Sequence, residues 1–176
     1  MESLSHFNPS FMSLVSPHPI FLSAGSSPYE VIKARVQAIL LSGRYKTERL
    51  CRFWSRNPNG YCLTPSCKNA DIQEDVEHIL LHCKSLSSTR SSLREFTANF
   101  SKIHPHLREI LLTFTAPQHP QFCQFLMDCS VIHEVISFTQ EHGQDKLYQL
   151  FKVTRTWCYS LHRDRLKMLG RWSNFN

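Results

Sequence analysis

The stretch CLTPSCKNADIQEDVEHILLHC, residues 62–83, holds three of the chain's 7 cysteines and two of its 10 histidines. Its spacing, Cys62-x4-Cys67-x10-His78-x4-Cys83, is the most specific feature of the sequence. Zinc takes four soft or borderline ligands in a tetrahedron, and a pair on a tight turn can converge with a pair on a helix. Pro65 helps the first pair turn back on itself. Asp71-Ile72-Gln73-Glu74 has the form of a capping box, which predicts a helix from about Ile72 through His78 toward Cys83. The neighbouring Asp71, Glu74, Asp75 and Glu77 lower the potential that a cation meets. Four protein ligands leave no position for water, so the pattern points to one structural zinc rather than a catalytic one.

The fourth ligand has two candidates. On an unbroken α-helix His82 shares a face with His78, whereas Cys83 lies about 140° around the axis. Thiolate is the stronger ligand in a structural site, and Lys84-Ser85 allows the helix to break before the next apolar run. Cys83 is therefore taken as the ligand and His82 as the alternative.

Outward from this centre the pattern is helical. Upstream, Ser27-Pro28-Tyr29-Glu30 combines an N-cap, a first-turn proline and a capping-box acid. Val31, Ile32, Val36, Ile39 and Leu40 supply an apolar face, and Gly43 stops the helix. A second helix over about 45–54 would turn Leu50, Phe53 and Trp54 inward, and Asn57-Pro58-Asn59-Gly60 is a turn. Downstream, Leu86, Leu93, Phe96, Phe100 and Ile103 mark a further helix. Pro105 and Pro120 suit first turns, and Asp128 can cap a segment ending at Gly143. Leu147, Leu150, Phe151, Thr154, Trp157, Cys158 and Leu161 lie on one face of a long last helix that Gly170 ends. The expected fold is mostly α, a helical domain with a small inserted zinc knuckle of Cys-Cys-His-Cys type. An irregular arm (1–26) precedes a helical region (27–103) with the knuckle at 57–84, and a C-terminal helical region (104–176) follows.

Bulk properties narrow the function. The chain has 176 residues, a net charge of +6 and a pI near 9.0, which favours an acidic partner. The uncharged part of residues 3–29 is broken by Pro9, Pro17 and Pro19, so no membrane span or secretory signal is read there and an intracellular location is expected. An odd cysteine count there argues against a disulfide framework. Cys51, Cys123, Cys129 and Cys158, with His133, read as packing groups. His104, His106 and His119 flank prolines and should meet solvent.

Lys33, Arg35, Arg44, Lys46, Arg49, Arg52 and Arg56 fall within 24 residues, opposed only by Glu48. Tyr45, Phe53, Trp54 and Tyr61 are interleaved with them, though Phe53 and Trp54 are better read as core. A second basic set, Lys152, Arg155, Arg163, Arg165, Lys167 and Arg171, lies on the last helix against Asp164 alone. Basic residues beside a zinc module suit RNA or DNA, since they neutralise phosphates. A protein partner is the rival expectation.

Residues 34–90 resemble the zinc-binding region downstream of the polymerase in non-LTR retrotransposon reverse transcriptases. The likeness rests on Gly43-Arg44-Tyr45 at a helix end, then Cys62 and Cys67, then Glu77-His78-Ile79-Leu80 with Cys83, and Arg90. It implies an accessory region that handles template RNA or target DNA, and it also favours Cys83 as the fourth ligand. No adjacent Asp-Asp pair and no converging carboxylate set is present for two-metal phosphoryl chemistry, so no catalytic activity is expected.

Overall fold

The computed structural model describes residues 17–51 and 57–171. Its α-helices are α1 (Pro19–Leu22), α2 (Pro28–Leu41), α3 (Glu48–Cys51), α4 (Ser87–Ile103), α5 (Arg108–Phe114), α6 (Phe122–Met127), α7 (His133–His142) and α8 (Gln144–Met168). A π-helical turn, His78–His82, and 3₁₀ turns at Lys84–Leu86, Pro105–Leu107 and Cys129–Val131 lie between them. No strand ladder forms among the described residues; a single antiparallel bridge joins Tyr61 to Gln73. The fold is mostly α with a small Cys/His cluster, as the sequence pattern indicates.

The long helix α8 is the axis of the core. Leu147, Leu150, Phe151, Thr154, Trp157, Cys158 and Leu161 are all buried along it, as their spacing requires. It packs against α2, α4, α6 and α7 as well as the single turn α1. Trp157 is fully buried, meets Phe122 edge-on at 5.3 Å and donates its indole N–H to Thr97 Oγ1 at 2.9 Å. That bond answers the polar end of a side chain otherwise suited to an apolar core. Gly170, with φ 65, closes the helix.

Several expected details differ. α2 begins at Pro28 after Ser27, but Ser27 makes no side-chain cap. Glu30 instead binds Lys33 at 2.8 Å and Arg155 at 2.6 Å. Burial works against its charge, yet these two cations hold the Glu30 carboxyl below its usual range. Val31 and Ile32 are exposed, and the inward face is Lys33, Ala34, Val36, Gln37 and Leu40. The apolar residues misled because polar groups of this helix have buried partners: Gln37 donates to Leu126 O at 2.7 Å and to Thr154 Oγ1 at 2.9 Å.

α1 lies inside the stretch expected to be irregular, with Ile20 buried and His18 capping the turn. Leu50 is exposed rather than inward, and Phe53 and Trp54 lie outside the described residues. Asp128 caps the turn Cys129–Val131 through Ser130 N, and α7 follows after a break at Ile132. Cys129 and Cys158 are buried, Cys51 and Cys123 partly so, and His133 is exposed. Of the three histidines expected in solvent, only His106 is exposed; His104 packs on Phe100 and His119 on Phe114.

Candidate metal centre

The turn Asn57-Pro58-Asn59-Gly60 closes with Gly60 N donating to Asn57 O at 3.0 Å. Gly60 has φ 66, and a Cβ there would stand 2.7 Å from Arg49 Cα, so the turn needs glycine on two counts. Cys62 N then donates to Ile72 O at 2.8 Å and Glu74 N to Gly60 O at 2.9 Å, which fixes one edge of the knuckle. Cys67 N donates to Thr64 O at 3.0 Å, a four-residue turn with Pro65 at its favoured second position. Pro65 thus does what the sequence suggests.

The expected helix from Ile72 does not form. Ile72 and Gln73 are extended against Cys62 and Tyr61, and Asp71 takes φ 49. The cap is Asp75, whose carboxylate accepts from His78 N at 2.8 Å. The chain then makes a π turn, in which Cys83 N donates to His78 O at 2.6 Å. An i→i+5 turn is wider than an α turn, so the residue five positions on comes back to the side of the first. This resolves the geometric objection to Cys83. His82 is exposed and lies 3.5 Å from Glu77.

Cys62, Cys67, His78 and Cys83 come together in one buried group, with their ligand atoms all within 4.8 Å of one another. Cys67 Sγ and Cys83 Sγ are 3.9 Å apart. A tetrahedral ion with metal–sulfur bonds of about 2.3 Å would set its sulfurs roughly 3.8 Å apart. His78 Nε2 is buried with no hydrogen-bond partner, a cost that a metal bond would remove. The residues present therefore fit one metal ion.

Spacing alone assigns no role to two supporting groups. Thr64 Oγ1 lies 3.2 Å from both Cys62 Sγ and Cys83 Sγ. Its hydroxyl can donate to a thiolate, and only its place inside the Cys62–Cys67 turn hints at this. Arg90, buried at the start of α4, donates to Cys83 O at 2.6 Å and Ile79 O at 3.5 Å. Burial lowers its pKa while the charge of Cys83 opposes that fall. Three thiolates around a divalent ion would carry a net negative charge, which the guanidinium of Arg90 behind the π turn would offset. Within the buried thiol pair, hydrogen bonding to Cys62 draws the Cys83 thiol below its usual range.

The acidic stretch does not act as a free field around the cluster. Glu74 is fully buried and its carboxylate is bound by Arg165. Asp75 is divided between the cap and Arg49, at 3.4 Å.

Comparison with protein-family models, with curated protein sequences and with solved structures finds no match.

The basic residues divide. Lys33 is buried against Glu30 and is not a surface contact, contrary to expectation. Arg35, Arg44, Lys46 and Arg49 are exposed, while Arg52 and Arg56 lie outside the described residues. In the second set Arg155 and Arg165 are buried in ion pairs, and Arg163 is paired with Asp164 at 2.8 Å. Lys152, Lys167 and Arg171 remain exposed. Tyr45 is buried between Arg44 and Lys46, its hydroxyl 2.8 Å from His162 Nδ1. Burial takes His162 down to about 4 and Tyr45 up to about 12, so both are neutral at ordinary pH. Arg165 Nη2 donates to Lys46 O at 3.3 Å. These bonds seat residues 44–49 on the end of α8 and bring Lys46 and Glu48 beside Arg165 and Arg171.

His82→Ala is expected to leave metal content unchanged and to shift stability by no more than about 0.5 kcal/mol, as for an ordinary surface change. Metal analysis of the purified variant checks this. Loss of metal would make His82 a ligand.

Proposed function

We propose that the chain is a zinc-stabilised nucleic-acid-binding accessory region, akin to the zinc region that follows retrotransposon polymerases, with no catalytic activity of its own. Zinc is favoured because three sulfurs and an imidazole in a tetrahedral group suit it better than harder cations. Four protein ligands saturate such an ion, which favours a structural role.

The approach of the 44–49 stretch, with Arg44, Lys46 and Arg49 exposed, to Arg171 just past the end of α8 carries the nucleic-acid reading. Arg44, Lys46 and Lys167 have no acidic partner within ion-pair distance among the described residues, and Arg35 adds charge on α2. The likeness to the retrotransposon region gains support from how its motif residues are used. Gly43 ends α2 with φ 68, Tyr45 anchors the basic loop, and Arg90 backs the metal group.

Binding to single-stranded RNA or DNA is expected to be sequence-tolerant and to weaken steeply with salt. About four phosphate contacts give a log–log slope near −3 on single strands. Charge neutralisation at Arg44, Lys46 and Lys167 together should flatten that slope by about 2. Fluorescence titrations at several salt concentrations check both. Absence of binding at low salt by folded, metal-loaded chain would refute the proposal.

A protein-interaction module is the second reading. Phe21, Leu22, Tyr29 and Ile32 are 41–52% exposed on α1 and α2, which favours it.

A further inference from the structure

We infer that the metal centre controls the basic corner through an ion cluster, Glu74–Arg165–Glu48, buried and closed on its outer side by the exposed Arg171, so that this surface is fully assembled only while the metal is held. The inference rests on the metal reading proposed for the Cys/His group and adds a regulation to it.

Glu74 joins three segments. Its N–H donates to Gly60 O at 2.9 Å, beside the bond from Cys62 N to Ile72 O at 2.8 Å, so its backbone belongs to the knuckle. Four residues later the chain reaches the ligand His78. The Glu74 carbonyl accepts from Arg49 N at 3.2 Å, and its carboxylate accepts from Glu48 N at 2.9 Å. That carboxylate also takes both Nε and Nη2 of Arg165, a residue of α8. The knuckle, the start of α3 and the end of α8 therefore share one side chain.

Glu48 extends the cluster outward. Its buried carboxylate lies 4.0 Å from Arg165 Nη2 and accepts from Arg171 Nη1 at 2.7 Å. Two carboxylates and two guanidiniums balance. A buried cluster of this kind holds as a unit, because a member left without its partner is a desolvated charge.

The ligands lie on both sides of Glu74. Cys62 and Cys67 precede it, and His78 and Cys83 follow, so a bound ion fixes the backbone pairing from which Glu74 projects. Without the ion that pairing rests on a few hydrogen bonds. Displacement of Glu74 removes the partner of Arg165, and Arg165 in turn holds Lys46 O.

Hydrogen–deuterium exchange on the full chain tests this, zinc-loaded and then stripped by chelation, with zinc content measured on each sample. Stripping should open residues 60–83 and also speed exchange at 44–51 and 161–169 by about ten-fold or more, as for loss of a cooperative local unit. Glu74→Gln should still hold zinc yet exchange fast at 44–51 and 161–169 beforehand, with little further change on stripping. Arg165→Lys, which keeps the charge but not the two-point grip, serves if Glu74→Gln fails to fold; it should loosen 44–51 with zinc still bound. Exchange confined to 60–83 on stripping, or wild-type exchange at 44–51 in Arg165→Lys, overturns the coupling. A folded chain that takes no zinc overturns the metal reading and, with it, the metal control; zinc binding without spread overturns the coupling alone.

Discussion

Cys62→Ser or Cys67→Ser is expected to abolish metal binding and unfold residues 57–84. Both sulfurs are buried in the four-ligand group, and a hydroxyl is a poor zinc ligand. Small metal modules draw on the order of 10 kcal/mol from the ion, far more than the few hydrogen bonds of this knuckle supply. The α8 core contains its own apolar contacts, so helix content should fall only modestly by circular dichroism. Protease cleavage within 57–84 should appear in the variant and be absent from the wild type. Retention of full zinc occupancy by a Cys62→Ser/Cys67→Ser chain would defeat the ligand assignment.

Arg165→Ala should destabilise the chain by about 3–5 kcal/mol, the usual cost of leaving a buried charge without its partner. Arg165 is 1% exposed and Glu74 0% exposed, so solvent cannot replace the lost guanidinium. Burial disfavours the cation, but the hydrogen bond and charge of Glu74 raise the Arg165 pKa above its ordinary value. Urea denaturation of wild type and variant measures the difference. A loss below about 1 kcal/mol, the range of surface ion pairs, would mean that the cluster is wetter than its geometry implies.

The helical architecture and the Cys/His cluster were legible because each has a local signature. The α8 face from Leu147 to Leu161 repeats at helical spacing through about four turns, and Cys62, Cys67, His78 and Cys83 stand at permitted ligand intervals. Three features were not legible, each for a physical reason. The apparent capping box at Asp71–Glu74 competes with a buried partner for Glu74 that lies 91 residues away. Helical periodicity assumes 3.6 residues per turn, so Cys83 could be chosen only on its chemistry and a helix break, and the π turn that brings it round to His78 went unread. Long-range ion pairs likewise overruled charge counting. Lys33, Arg155 and Arg165 look like surface cations in the sequence, yet Glu30 and Glu74 hold them inside.

Zinc content per folded chain tests the central claim most directly. Native mass spectrometry of the purified wild-type protein, before and after chelation, reads it without reference to any partner. One zinc per chain, lost on chelation and in Cys83→Ala but kept in His82→Ala, is the predicted result. A folded monomer that carries no metal and takes none up when zinc is added under reducing conditions would contradict it.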